Sequence, residues 1–284
     1  MSDEAREVTE RQGPAVESAP DSIEVEIQEL DAKLAEHQAR VASHQAARED
    51  TPYAEQRTYM RRVTTDFITG VVAAHYAFTR YPDGGTWLLS TFVEDFLESP
   101  VSIEMLAHNG VFNVGRRELR YLLEAAVKRT YVDEVAPPGS SLNDRLTLLH
   151  NDVPRSSVDV IDALTLRMLP DADEFRSAVK SAFGALSGYT HPSRKQLDER
   201  LARAAGGQSI GFETAETLRP FNRVLFQVYD LVLTLIFEGI GPAFTGDLFI
   251  QAFDDERTWK FHKGRFVRLV SQHFDYKAER QQPR

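Results

Sequence analysis

The feature that most constrains the fold is the spacing of the apolar residues, which recur three or four positions apart between Ile23 and Phe237. This spacing places them on one face of an α-helix, whereas a half-buried β-strand would alternate apolar and polar residues. Proline residues and glycine pairs interrupt the pattern at positions typical of helix ends. We find no convincing alternating run and no repeat period. The sequence therefore predicts an all-α protein.

The first fifty residues divide into two parts. Residues 1–21 combine acidic residues, proline and glycine with few large apolar groups, which predicts a disordered acidic tail. Residues 22–50 predict one helix, capped by Asp21 or Ser22 and ended at Thr51-Pro52, because a residue before proline avoids the helical conformation. The helix either packs on its own domain or pairs with a second copy as a coiled coil. Its seam follows the heptad steps of four and three: Ile23, Ile27, Leu30, Leu34, His37, Val41 and His44.

The rest of the chain is predicted to form a helical core at 51–205 and a C-terminal helical region at 206–284. One long helix precedes the turn at 82–85. Pro220 is predicted to open a buried helix that runs to Phe237. Further helix starts are indicated by side chains that can accept a hydrogen bond from a first-turn N–H: Ser141, Ser156, Asp171 or Asp173, and Ser193.

Charge and composition restrict the compartment and the partners. A formal net charge of −10 argues against non-specific binding of nucleic acid, so any such contact must be local. The most apolar segment, Phe221 to Phe237, contains Arg223 and Asp230, and the N-terminus has no apolar signal region. The absence of cysteine rules out disulfides and thiolate chemistry. These features predict a cytoplasmic protein without a membrane segment.

Motifs of the common enzyme classes are missing from the sequence. It contains no GxxxxGK[ST] phosphate loop, no GxGxxG after a strand, no HExxH pair and no GxSxG elbow. The eight histidines do not pair at metal-binding spacing beside a matched third ligand. The sequence therefore predicts neither a metal site nor a cofactor.

Two short segments resemble a known family. LRYLLEAAVKRTY (Leu119–Tyr131) and FGALSGYTHPS (Phe183–Ser193) are similar to HEPN-type helical domains of prokaryotes, in which an LRxLLE helix packs against a helix ending in LSxYxHP. The resemblance covers residues 95–195 and implies a HEPN-like helical bundle. Many such domains are dimeric RNA-cleaving toxins or defence modules, with a catalytic arginine shortly before a histidine. His191 departs from this pattern, because Gly184, Ala185 and Leu186 occupy the positions of the arginine.

The resemblance implies a catalytic site formed by four side chains: Arg120, Glu124, Tyr189 and His191. Arginine can bind a phosphate through two N–H groups, and histidine can take the proton of an RNA 2′-hydroxyl near neutral pH. This chemistry is that of a metal-independent endoribonuclease. The alternative is structural, since the same side chains together with Ser187 would form a buried polar network that fixes the register of two helices.

A second candidate site is the C-terminal segment RTWKFHKGRFVRLVSQHF, which contains no acidic residue. Drawn as a helix, it places basic residues on one side and Trp259 and Phe266 on the other. Cations that hold phosphates and an aromatic ring that stacks on a base are typical of RNA binding. The alternative is a solvated basic face above aromatic residues packed in the core. The candidate RNA-binding residues are Arg257, Lys260, Lys263 and Arg268.

Together, these observations predict a HEPN-like module of a prokaryotic conflict or defence system that cleaves or binds RNA. A function of a different class stays open, namely a non-enzymatic scaffold that forms a homo-oligomer through the heptad helix. A third alternative is a regulator that binds a protein partner. The sequence leaves the choice between an enzyme and a binding module open.

Overall fold

The computed structural model describes residues 20–154, 156–190, 193–205 and 213–274. All regular secondary structure in these ranges is helical, which confirms the all-α prediction. Residues 1–19 of the predicted tail lie outside them. The α-helices are α1 (Pro20–Arg48), α2 (Thr51–Phe78), α3 (Leu88–Thr91), α4 (Val93–His108), α5 (Phe112–Val135), α6 (Leu142–Asn151), α7 (Ser157–Ala163), α8 (Ala172–Ser187), α9 (Arg194–Ala205), α10 (Ala215–Ile240), α11 (Pro242–Leu248) and α12 (Arg265–Gln272). Shorter elements are 3₁₀ turns at Gly84–Thr86 and Lys260–Lys263 and a π turn at Phe249–Phe253.

Helix α1 belongs to a structural unit of its own, which ends at Ala46. The helix itself ends at Arg48, shortly before Pro52, so the predicted helix at 22–50 is present with slightly shifted ends. The leading residues of its seam each expose more than half of their surface: Ile23, Ile27, Leu30 and Leu34. The helix is confirmed, whereas its pairing stays a prediction.

The second unit begins at Ala47 and contains a core built around α10. Helix α10 packs against α2 and α5, and α4 packs against the same two helices. Their apolar residues share one core with the aromatic residues of the C-terminal segment. Burial of each large apolar side chain contributes about 1.5–3 kcal/mol. The described residues on both sides of position 205 therefore belong to one core.

The buried helix α10 starts earlier than predicted. It begins at Ala215, because Thr214 and Thr217 cap it reciprocally, with the Thr217 hydroxyl accepting the Thr214 N–H at 2.8 Å. Pro220 therefore lies inside the helix rather than at its start. The helix ends at Ile240 and is followed by Gly241, whose φ of 79° favours glycine. Among the described residues, no helix combines the length and the apolar character needed to cross a membrane.

Most of the predicted helix starts carry the expected capping hydrogen bond. The side chains of Ser141, Asp171 and Ser193 each accept an N–H from the first turn of the following helix. Such caps typically stabilise a helix by about 1 kcal/mol. Ser156 precedes α7 as predicted, but its side chain accepts no capping hydrogen bond. The predicted start of α7 is therefore correct, but a capping hydrogen bond to the Ser156 side chain is not its cause.

Candidate functional site

Three arginines lie on neighbouring turns of α5, and we call Arg116, Arg117 and Arg120 the arginine face. The apolar side of the same helix is completely buried at Leu119 and Leu122, so its polar residues must lie away from the core. Arg117 is exposed, and the other two arginines are half-buried. Helix α5 therefore presents a row of cations at the surface of the second unit.

The arginine face contacts the turn that follows α8. Helix α8 ends at Ser187, and the Tyr189 N–H then donates to a helix carbonyl at 3.0 Å. Ser193 Oγ and Gln196 Nε2 both donate to the Gly188 carbonyl, at 2.6 and 3.1 Å. This turn is therefore held by its own hydrogen bonds, and it presents fixed groups to the arginines.

Each arginine contacts a different group of the turn. Arg120 Nε donates to Ser187 Oγ at 3.1 Å, and Arg117 Nε donates to the Tyr189 carbonyl. The Arg116 guanidinium lies over the Tyr189 ring, 4.6 Å from its centroid, in a cation–π contact. Through Arg120 and Ser187, the structure thus brings the two resembling segments into contact.

Glu124 and the Tyr189 hydroxyl have partners in different parts of the cluster. Glu124 forms ion pairs with Arg120 at 3.5 Å and with Lys128 at 2.6 Å. The Tyr189 hydroxyl donates to Glu199 Oε1 at 2.8 Å, and Tyr189 is only 5% exposed. Arg120 therefore connects Glu124 to the turn after α8, whereas the Tyr189 hydroxyl contacts a carboxylate of α9.

His191 is the fourth predicted catalytic residue, and it lies outside the described residues. It follows Tyr189 by two positions in the sequence. The role of His191 therefore stays a prediction.

The arginine face carries more positive charge than its neighbours neutralise. Of its members, only Arg120 has a carboxylate within salt-bridge distance in the described ranges, and that carboxylate is shared with Lys128. Arg116 donates to the Asn113 side-chain oxygen at 3.0 Å, and Arg117 donates to a carbonyl. Because these acceptors are neutral, they do not compensate the positive charges of Arg116 and Arg117. In a protein of net charge −10, this local excess can attract an anion such as a phosphate.

The C-terminal basic segment does not form the single helix drawn from its sequence. Gly264 separates the 3₁₀ turn at Lys260–Lys263 from α12. A Cβ atom at Gly264 would lie 2.1 Å from Asp230 Oδ1. The Asp230 carboxylate also accepts two first-turn N–H groups of α12, at 3.0 and 3.1 Å. This buried carboxylate therefore caps α12 and fixes the break.

The aromatic residues of the same segment belong to the core. Trp259 is 2% exposed, its ring stacks on Phe253 with centroids 4.0 Å apart, and its Nε1 donates to the Asp66 carbonyl at 2.9 Å. Phe266 is buried edge-on against Phe175. Neither ring can stack on a base, which corrects that part of the RNA interpretation. The predicted RNA-binding cations stay at the surface, with Arg257, Lys263 and Arg268 exposed and Lys260 half-buried.

Sequence reasoning missed the buried carboxylate of Asp133. It accepts the N–H groups of Leu88 and Leu89 at 2.9 and 3.0 Å and forms an ion pair with Arg145 at 3.1 Å. Burial raises the pKa of Asp133 to about 6, although these partners favour the charged form. Asp133 therefore fixes the start of α3 against α5 and α6.

Two further carboxylates, Glu134 of α5 and Glu238 of α10, anchor the segment that follows α7. Glu134 accepts the Thr165 N–H at 2.9 Å, and burial together with nearby Glu238 raises the pKa of Glu134 to about 7. Burial also raises the pKa of Glu238, which accepts the N–H groups of Arg167 and Met168. An acidic residue within an apolar helix was the only sequence signal for such an anchor. It identifies a group that needs a partner, but not which partner.

In the described parts of the chain, no group of three or more His, Asp or Glu side chains is arranged to hold a metal ion. Comparison of the sequence and the structure with protein-family models, curated proteins and solved structures finds no match.

Proposed function

We propose that this chain is an RNA-binding, HEPN-like helical module of a prokaryotic defence system, and that the arginine face is its phosphate contact. The observation that carries the proposal is the position of Arg116 and Arg117 against the Tyr189 turn, with neutral acceptors and without a carboxylate partner among the described residues. The two segments that resemble HEPN domains meet at this face. The resemblance supports the defence role, and the geometry supports an anion site.

The arginines are held in a way that suits phosphate binding. Arg117 and Arg120 each donate through Nε to the turn after α8. For Arg117, neither terminal nitrogen has a partner among the described residues, and both suit the two oxygens of one phosphate. A guanidinium that is already positioned loses less conformational freedom on binding than a mobile lysine does. RNA would therefore be held through its backbone at this face.

The cleaving form of this proposal uses Arg120 and His191. Arg120 would hold the scissile phosphate, and His191 would take the proton of the adjacent 2′-hydroxyl. The 2′-oxygen would then attack phosphorus, and the 5′-oxygen would leave and take up a proton. The products would be a 2′,3′-cyclic phosphate and a 5′-hydroxyl end. Glu124 would act as a positioning residue through its ion pair with Arg120.

Fluorescence anisotropy with a labelled single-stranded RNA tests the binding site. In the R116Q/R117Q variant, we expect affinity to fall at least about tenfold, because charge-assisted phosphate contacts are lost. The slope of log affinity against log salt should also decrease by about 0.7 for each lost contact. The control is R61Q/R80Q, which changes an exposed arginine of α2 and an exposed arginine just after it and lowers the net charge equally. An equal loss in both variants, or a parent protein that does not bind RNA, would contradict the proposal.

Cleavage is tested separately with H191A. Parent protein and variant are incubated with labelled RNA, with and without divalent metal, and the products are resolved on a gel. The catalytic role predicts that H191A abolishes cleavage with a nearly unchanged melting temperature. The structural alternative predicts a loss of about 1–3 kcal/mol of stability and a melting temperature several degrees lower. A destabilised variant of a parent that never cut RNA would exclude catalysis by His191.

The exposed seam of α1 favours a second function, namely assembly. Its isoleucines and leucines each expose more than half of their surface in the single chain. A helix of this length is marginal in water until its apolar side is buried. We propose that α1 pairs with α1 of a second copy, because a heptad seam is self-complementary. RNA-binding units would then act as a homo-oligomer.

A further inference from the structure

A cavity of about 520 Å³ opens between α8 and α10 and reaches the segment around Lys263. Its volume lies within the range of about 300–1,000 Å³ that is typical of small-molecule sites. The α8 wall is mostly small residues, namely Ala178, Ser181, Ala182 and Ala185, with Leu186 at its end. The facing wall is provided by α10, chiefly Val224, Val228 and Leu231. Small side chains thus leave an apolar space between the two helices.

Packed aromatic rings line the rest of the cavity. Phe226 is half-buried and stacks on Phe261, with centroids 5.1 Å apart and planes inclined by only 5°. Phe266 also lines the cavity and packs edge-on against Phe175, with ring centroids 5.0 Å apart. Both rings are held by neighbouring rings, so the apolar lining is preformed. A ligand would therefore not have to order these side chains.

The charged groups of the cavity are not balanced. Arg265 forms an ion pair with Glu174, and the Asp230 carboxylate is occupied by the first-turn N–H groups of α12. Arg223 and Lys263 also line the cavity, and neither has a carboxylate or hydrogen-bond partner within the described ranges. The fixed break at Gly264 holds the backbone next to Lys263 in place. Two uncompensated cations therefore adjoin a preformed apolar space.

We propose that this cavity binds a small amphipathic anion, with its apolar body between α8 and α10 and its carboxylate or phosphate head group held by Arg223 and Lys263. Arg223 and Lys263 are exposed, so a neutral apolar ligand would gain nothing from their charges, and a nucleic acid backbone would leave the apolar lining unfilled. Tyr59 lines the same cavity, and burial raises the pKa of its hydroxyl, so this group stays protonated and can donate to an anion. The site is independent of the arginine face and of RNA binding.

Isothermal titration calorimetry of the full chain with matched ten-carbon ligands tests the proposal; the probes are decanoate, decyl phosphate, decanol and decylamine. We expect decanoate or decyl phosphate to bind saturably, one per chain, and at least about tenfold more tightly than decanol. Decylamine should not bind, because the cations repel it. The stronger of the two anions identifies the head group. Non-saturable uptake of all four ligands would overturn the proposal.

Two pairs of variants locate the site. R223Q and K263Q should each weaken anion binding about tenfold and leave decanol unaffected, whereas R268Q, an exposed cation outside the cavity, should bind as the parent does. A182F should fill the cavity and abolish binding, and S177F, exposed on α8 outside the cavity lining, is its control. Unchanged affinity in R223Q and K263Q overturns the proposal, even if A182F fails to fold. Unchanged affinity in a folded A182F, checked by circular dichroism, does the same.

Discussion

Helices α1 and α10 have similar lengths, 29 and 26 residues, but their apolar residues have opposite surroundings. In α1, Leu30 and Leu34 expose 69% and 54% of their surface, whereas Leu225 and Leu233 of α10 are completely buried. Both helices follow the same spacing of three and four. The periodicity therefore identifies the helix and its apolar face, but it does not identify what covers that face.

The carboxylates of the two helices differ in the same way. The described acidic side chains of α1 are exposed, among them Glu29. Those of the α10 interior, Asp230 and Glu238, are buried and accept backbone N–H groups, and burial raises the pKa of each. Helix α10 is thus anchored by polar groups as well as by apolar packing. In α1, by contrast, the first four residues of the seam are exposed in the single chain.

The largest effect is expected from removing the first unit. A chain that begins at Ala47 lacks the exposed seam, so its self-association should be lost, while its melting temperature should stay nearly unchanged because α1 forms a separate unit up to Ala46. Light scattering of the full-length and shortened chains measures the mass, and calorimetry measures the melting temperature. An identical oligomeric state in both proteins would contradict pairing through α1.

The same substitution in each helix compares their packing directly. L233A should destabilise the protein by about 2–5 kcal/mol, because it leaves a cavity in the core. The Leu233 side chain packs against Gly70, where an added Cβ would lie 2.8 Å from it. L30A, at an exposed position, should change the free energy of unfolding by less than about 0.5 kcal/mol. Urea unfolding at low protein concentration, where association does not contribute, measures both values. Similar losses would remove the distinction between the helices.

The sequence predicted the helices better than their contacts, for reasons visible at particular residues. Caps such as Ser141 and Asp171 act within four residues, so local sequence is enough to place them. The start of α10 was misplaced at Pro220 because the Thr214–Thr217 cap was overlooked. The break at Gly264 depends on Asp230, a residue 34 positions earlier in the printed sequence, and no local pattern reveals that contact.

The candidate site shows the same division between local and distant information. The two motif segments indicated Arg120, Ser187 and Tyr189; Arg120 contacts Ser187 in the structure, whereas Tyr189 contacts Arg116 and Arg117. Arg116 and Arg117 were missed, because their importance comes from the absence of nearby carboxylates and not from a motif. The apolar cavity beside Lys263 arises from small residues of α8 that face a helix distant in sequence. Such a cavity follows from the packing of two helices that are distant in sequence, and no local sequence pattern predicts it.

An effect of intermediate size is expected from substituting Glu134, the α5 carboxylate whose pKa is raised partly by Glu238 of α10. Because the pKa of Glu134 is raised to about 7, the folded state keeps a proton that the unfolded state releases above its ordinary pKa. The contribution of this group is therefore most favourable at low pH and is lost as pH rises toward 7. E134Q should remove this dependence. At pH of about 8 it should stabilise the protein by about 1–2 kcal/mol, a value limited by the partial exposure of Glu134 to solvent.

Urea unfolding of E134Q at pH of about 5 and about 8 measures this difference. The amide oxygen of the glutamine can still accept the Thr165 N–H, so the backbone anchor is retained. E29Q, an exposed carboxylate of α1, is the matched control and should change the stability at neither pH. Parallel curves for the parent and E134Q would show that Glu134 has an ordinary pKa in the folded protein.

The smallest effect is expected from a comparison of two substitutions in α1, one on the seam and one elsewhere on its exposed surface. Leu34 lies on the seam, whereas Val25 lies two residues after Ile23 and off it, although both side chains are more than half exposed in the single chain. Only the seam is buried when two heptad helices pair, so L34A should weaken self-association about tenfold, or about 1.4 kcal/mol, and V25A should leave it unchanged. Sedimentation equilibrium measures both association constants. Equal weakening by the two substitutions would mean that α1 is held by general apolar contact around its circumference, and the heptad pairing of two copies would have to be abandoned.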